Sequence, residues 1–393
     1  MSRKQLGALF ASNMIAYAVG AGLMGVMPIY LPRFGVDTAA IGLFMAVIFG
    51  SLAAGALSAG WLSQRFGRRK VFMTAAALLQ IPVVYLMGQT ESLAVFGLLA
   101  VTCWFLGGLL VGMVDILVGL SADPARRGRA FGAVTASIAL GQIIAGLGAG
   151  QIIARWGFEA LHVASAALYV AAVVTTLLVE ERETTRPTAA SARIGTSPAL
   201  IGSGFGLLLV AGVLANAASF SANLGRTVSM DALNFDAATI TSVFAIGGLV
   251  NLPLPLVTGW LSDRIGRRSV MVVTYLATAV GVAMLAASFT VWHFWLSMVL
   301  LTTIRSGHGV GSALITDMVP PQHLSASLSR YAVTPWIGGV IGYALTGVAF
   351  QTLGIVTTAI ISAALPLLGA LLITSAHQQP AATAVRPAAA QSH

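Results

Sequence analysis

Apolar residues in this chain come in long runs. They show neither the alternation of a half-buried strand nor the one-sided stripe of a surface helix. Twelve runs reach or approach the roughly 20 residues that a helix needs to cross a bilayer. They lie at 6–31, 39–62, 71–88, 93–120, 130–153 and 160–179 and, after a polar interruption, at 200–224, 237–261, 270–287, 291–318, 327–350 and 355–374. A helix apolar on every side is buried in protein or in lipid. In lipid the backbone must satisfy its own hydrogen bonds, which dictates α-helix for each run. The expected fold is all-α, with twelve transmembrane helices in two sets of six. The interruption, EERETTRPTAASARIGTSP, is rich in charge, Ser, Thr and Pro and reads as a linker. The chain ends in HQQPAATAVRPAAAQSH, which lacks the apolar bulk to build a core and is expected to be disordered. The organisation that follows is a first bundle over 1–179, a cytoplasmic linker over 180–199, a second bundle over 200–375 and a cytoplasmic tail over 376–393.

Composition removes the soluble alternative. Of the 393 residues 57% are hydrophobic and 8% charged, against about 25% charged in soluble domains; mean hydropathy is +0.89. A net charge of +9 would suggest a nucleic-acid partner in a soluble protein. Here the cations fall in short clusters between apolar runs, which is the pattern of membrane topology, and no nucleic-acid partner is expected. One set of loops and termini holds seventeen Lys and Arg residues, the other only Arg33, Arg155 and Arg226. The positive-inside rule then places both termini in the cytoplasm and the chain as a multi-pass protein in a cytoplasmic (inner) membrane. The first apolar run is too long for a cleavable leader and reads as an uncleaved first span. Cys103, the single cysteine, excludes an internal disulfide and reads as a small packing residue.

An internal repeat carries the next step. GWLSQRFGRR over 60–69 returns as GWLSDRIGRR over 259–268, identical at eight of ten positions at an offset of 199. Asp37, Ala39 and Ile41 recur at the same offset as Asp236, Ala238 and Ile240. Each copy joins the second and third run of its six. Parallel repeats of this kind occur in transporters that bind substrate between the halves and rock one against the other.

With this loop the chain resembles the major facilitator superfamily, over about 6–374. The loop is similar to that family's helix 2–3 signature, with Gly60, Arg65, Gly67, Arg68 and Arg69 in the first copy and Gly259, Asp263, Arg264, Gly266, Arg267 and Arg268 in the second. The resemblance implies a pseudo-symmetric two-bundle fold, alternating access and a gating role for these residues. The first copy departs at Gln64, where the family usually carries an Asp that locks the cytoplasmic side. ADPARRGRAFG over 122–132 resembles the family's helix 4–5 loop; its counterpart TDMVPPQHLSAS lacks the arginines. In helix 5, Gly132, Gly141, Ala145-Gly146 and Ala149-Gly150 stand where the drug:proton antiporter branch carries a Gly-Pro pattern, in a degenerate form that close helix packing alone would also select. The resemblance implies a monomer that exchanges a small-molecule substrate and protons across the bilayer.

Ionisable residues at membrane depth are expensive, at about +2.5–3.5 kcal/mol for a lipid-facing Arg, and tend to line polar cavities. Arg305 lies in the middle of the tenth run, with His308 and Ser312 on the same helical face. Arg305 and His308 are candidate substrate contacts, together with Asn13 and Tyr17 in the first run and Asn216, Ser219 and Asn223 in the seventh, for which interhelical hydrogen bonding is the alternative reading. Asp115 and His308 are candidate proton carriers, since coupling needs a group whose charge can change. Gln142, Trp104, Tyr331 and Trp336 are further candidates, for which packing is the slightly favoured reading. There is no phosphate-binding loop, nucleotide fingerprint or metal-ligand cluster, so no cofactor and no enzyme activity are expected. The function that emerges is proton-coupled export of a small amphiphilic compound. The alternatives are proton-coupled import of an anionic metabolite through Arg305, or a receptor or scaffold that retains a transporter shell.

Overall fold

A computed structural model describes residues 1–121, 127–181, 204–319 and 321–375. Most of the linker, the tail and the first five residues of the helix 4–5 loop motif lie outside the described residues. In order, the helices are α1 (Arg3–Tyr30), α2 (Thr38–Phe66), α3 (Arg69–Gln89), α4 (Leu93–Ser121), α5 (Arg127–Leu177), α6 (Gly204–Ala232), α7 (Ala237–Asn251), α8 (Leu254–Ile265), α9 (Arg267–Ala283), α10 (Val291–Met318), α11 (Pro321–Ala332) and α12 (Thr334–Ser375). Eight are long and apolar enough to cross a membrane, or nine when the bent pair α7–α8 counts as one span.

Two of them hold two of the expected spans each. α5 breaks at Gly157 (φ 81°, ψ 177°) and α12 at Gly354 (φ 77°, ψ 168°). Divided there, and with α10 included, the described residues form six helical arms before the linker and six after it. α7 and α8 make one bent arm, because Pro253 and Pro255 cannot continue the hydrogen-bond ladder; the axes turn by 45°. The sequence expects this arm as one span over 237–261.

The duplication is written into the backbone. Among the described residues, positive φ angles occur at Gly35, Gly67, Gly157, Asn234, Gly266 and Gly354. These are three repeat pairs: 35 with 234 and 67 with 266 at an offset of 199, and 157 with 354 at 197. Each is a place where a side chain with a Cβ is strained, and Asn tolerates it best after Gly. The caps match as well. Asp37 accepts from Ala40 N at 2.8 Å to start α2, and Asp236 accepts from Thr239 N at 2.7 Å to start α7.

The halves meet through small residues at the end of the bundle away from the arginine loops. A methyl on Gly42 of α2 would stand 2.5 Å from Gly347 Cα of α12. Gly150 and Gly146 of α5 lie against Ala237 and Ala245 of α7. Gln351 Nε2 donates to Asp37 Oδ2 across the same seam at 3.1 Å. At the arginine-loop end, Gly60 and Gly259 have nothing within 4 Å of where a Cβ would stand. Large apolar side chains such as Leu57, Leu98, Leu147, Leu256, Leu345 and Leu371 cover the outside and are more than half exposed, as a lipid-facing surface requires.

Candidate substrate cavity

A cavity of about 500 Å³ lies between the halves, within the range of small-molecule sites. α1, α2 and α4 bring Tyr17, Met24, Met45, Phe49 and Trp104 to its wall; α6, α10 and α12 bring Asn216, Phe220, Asn223, Met298, Arg305, His308, Trp336 and Tyr343. The aromatic rings form a continuous cluster. Phe49 lies 4.5 Å from Phe220, 5.5 Å from Trp336 and 5.8 Å from Tyr343, centroid to centroid. The wall is thus apolar and polarisable, with a few polar groups.

Of the residues singled out in the sequence, Tyr17, Asn216, Ser219, Asn223, Arg305, His308, Gln142, Trp104 and Trp336 line this cavity. Arg305 is exposed to it and, among the described residues, has no carboxylate partner. It also borders a crevice formed with Thr135 and Ile138 of α5 and Asp263 of α8. His308 stacks on Tyr331, with centroids 4.3 Å apart and planes 6° from parallel, and its buried Nδ1 has no partner. Tyr331 is therefore behind the wall, 1% exposed. Ser312 turns back to the His308 carbonyl at 3.2 Å. Asn216 spends its amide donor on Gly212 O at 2.8 Å.

Asn13 is elsewhere. It is buried between α1 and α5, where Nδ2 donates to Ser137 Oγ at 2.9 Å. Asp115 does not line the cavity; it is exposed near the arginine-loop end of α4, within electrostatic reach of Tyr17. Cys103, expected only to pack, forms part of the wall beside Gln80.

The sequence reading of Arg226 as an outer-loop charge is corrected. α6 continues through Met230 to Ala232, and Arg226 is 1% exposed inside the protein. Its Nη2 donates to Asn223 Oδ1 at 2.7 Å, its Nη1 lies 3.3 Å from Met298 Sδ, and its guanidinium sits 5.4 Å from the centre of the Phe244 ring. A signal was present: 226 less the repeat offset is Met27, within the first apolar run and 1% exposed.

The repeated loops close on their own halves. Gly67 caps α2, its N–H bonding to Ser63 O. Arg69 is buried and donates from Nε to Ser63 Oγ at 2.7 Å. Glu181 accepts from Arg69 N at 2.5 Å and Lys70 N at 3.3 Å, which pins the start of the linker to α3. In the second copy Arg267 pairs with Asp317 at 2.9 Å and also donates to Ala313 O. Arg268 donates to Ile373 O at 2.6 Å, and Arg264 lies 4.0 Å over the Trp260 ring. Gly60, Gly259 and Gly266 provide turns and clearance; Gln64, Arg65 and Arg68 are exposed. Of the small residues of helix 5, Gly141 fits against Met14 and Ala18 of α1, and Ala145 and Ala149 against Gly22, whereas Gly132 has nothing within 4 Å of where a Cβ would stand.

Two bundles of apolar helices around a shared cavity define a membrane transporter. The chain belongs to the Major Facilitator Superfamily, whose model matches residues 9–229 and 207–392. Solved structures share the fold. A point mutant of the nucleoside transporter NupG superposes with a TM-score of 0.80 at 15% identity, covering 94% of this chain and 99% of that one. A POT family transporter in complex with 5-aminolevulinic acid gives 0.77 at 15% identity, covering 94% and 95%. A bacterial homolog of the human lysosomal transporter Spinster, inward-facing and occupied, gives 0.75 at 13% identity, covering 96% and 97%. No curated protein matches the chain significantly in sequence.

Proposed function

We propose that this chain is a secondary active transporter that couples export of a small amphiphilic compound to the proton gradient, in the manner of efflux antiporters. The observation that carries the reading is the shared cavity of about 500 Å³, aromatic and thioether in lining and contributed by both bundles. Glycine seams seal one end, and the glycines of the repeated loops stand clear at the other. The cation asymmetry supports a cytoplasmic loop end in an inner membrane, which reads the cavity as inward-facing. Rocking would part the outer seams and bring the two loops together. Asp263, in the crevice opposite Thr135 and Ile138, is then positioned to hold the cytoplasmic side, with Gln64 as an uncharged partner from the first copy. Asp115 and His308 are the proposed proton carriers, and a single chain suffices for the cycle.

Proteoliposomes with an imposed pH gradient of either polarity test the reading with a panel of amphiphiles. Substrate-dependent proton flux is expected, reduced in Asp115→Asn or His308→Ala. Unchanged coupling in both variants removes the proton assignment, and no flux with any compound favours a receptor or scaffold. Arg305, without a counter-ion, favours a second reading: import of an anionic metabolite. In that case Arg305→Gln abolishes anion uptake, whereas efflux of neutral compounds persists.

A further inference from the structure

A second cation lies behind the cavity wall, held by two residues that line it. Arg226 is fully inside the protein, and none of its side-chain partners is anionic: they are an amide oxygen, a thioether and the face of the Phe244 ring. Among the described residues no carboxylate pairs with it. Burying a guanidinium without a counter-ion is strongly unfavourable, so such a charge persists where something else supplies the anion. Its bond to Asn223 has a directional consequence. By donating to Oδ1 it fixes the amide, so that Nδ2 is the end left over, and among the described residues that group donates to nothing. Asn223 and Met298, the two groups that hold Arg226, both line the cavity. Across the same space stands Arg305, and Tyr343 lies within electrostatic reach of both cations.

The geometry points to a binding subsite for the acid group of an amphiphilic organic anion, formed by the Asn223 amide with Arg226 behind it and completed by Arg305, while the Phe49–Phe220–Trp336 cluster takes the apolar body. The subsite presents N–H donors and positive charge with no carboxylate among the residues that form it. That is the complement of a carboxylate, sulfonate or phosphonate and a poor match for an amine. Arg226 acts here as a positioning residue: it orients Asn223 and supplies field, and Asn223 makes the contact. The inference rests on the cavity being the transport site.

The test uses the full-length protein in nanodiscs and matched probes that share one aromatic body: 4-phenylbutyrate, its primary amide and 4-phenylbutylamine, with the aryl sulfonate and phosphonate analogues. Quenching of tryptophan fluorescence and the shift of thermal unfolding report binding. At least one acid is expected to bind about ten- to a hundredfold more tightly than the amide and the amine, the range spanned by a charge-assisted hydrogen bond. Arg226→Gln should erase that preference, Arg226→Lys should retain part of it, and Asn223→Ala should weaken the acids while leaving the amide unchanged. Equal binding of acid, amide and amine overturns the subsite, as does an acid preference that survives Arg226→Gln, or no binding by any acid. Should Arg226→Gln fail to fold, the wild-type ranking and Asn223→Ala decide alone. Flux assays separate the two readings. Acid-selective binding without transport defeats the transporter reading and leaves the subsite standing; transport of the amide and amine without acid preference does the reverse.

Discussion

Asn13 and Arg226 mark two fates of a polar residue in an apolar run. For Asn13 an interhelical hydrogen bond was legible as the alternative to a substrate contact, but not its partner: that is Ser137 on α5, 2.9 Å away, and no pattern within α1 reveals a partner 124 positions on. Replacing it with Ala is expected to cost about 0.6–2 kcal/mol, seen as a lower unfolding temperature in detergent, with substrate ranking unchanged. Arg226 ended an apolar run by hydropathy, so it read as a loop residue; only the repeat, through Met27, exposes it as interior. Asp37 and Asp236 were legible as a repeated pair; their role as helix caps comes from the backbone N–H groups they accept from. The Ala40 N–H, with help from Gln351, holds the Asp37 carboxyl below its ordinary value of 3.8, and Thr239 does the same for Asp236. A depressed folded-state value means that the stabilisation is complete above the ordinary value and disappears as pH falls through the lowered one. Thermal unfolding should thus be insensitive to these two groups at pH 5–8 and decline below about pH 4; an Asp37→Asn, Asp236→Asn variant should show a flatter acid limb.

At the scale of elements, the twelve runs correspond to helical arms, but not to twelve separate helices. Hydropathy reports where lipid can be, whereas hydrogen-bond continuity decides where a helix stops. Gly157 and Gly354 turn the chain without opening a loop, and the prolines at 253 and 255 bend an arm that is apolar throughout. The positive-φ, extended-ψ geometry at 157 and 354 penalises any Cβ by about 1–3 kcal/mol. Gly157→Ala and Gly354→Ala should each lower thermal stability by that amount, whereas Gly60→Ala, inside α2 with open space around it, should leave stability unchanged or raise it by up to about 1 kcal/mol. Equal effects at all three sites would mean that the turns are not the cause. The helix 5 pattern illustrates the converse: Gly146 and Gly150 were visible in the sequence, and their contacts with α7 account for them without reference to a transport direction.

For the whole molecule, the sequence yields the duplication and an expectation for the side on which the loops lie, because both are read from patterns of composition. It does not reveal which end of the bundle is sealed, since that is a relation between halves of one chain. The hydrogen bond between Asp37 and Gln351 stands at that seal. Joining Asp37→Cys to Gln351→Cys with a short bifunctional reagent, in a Cys103→Ala background, should arrest transport in proteoliposomes, and a reducible linker should restore it on cleavage. Full transport by the joined protein would show that this seam need not open. Without any substitution, the chain also carries its own indicator. Its one thiol stands on the cavity wall, so an organomercurial applied from one face or the other, and weighed as an adduct, reports which compartment that wall is facing at the moment of exposure.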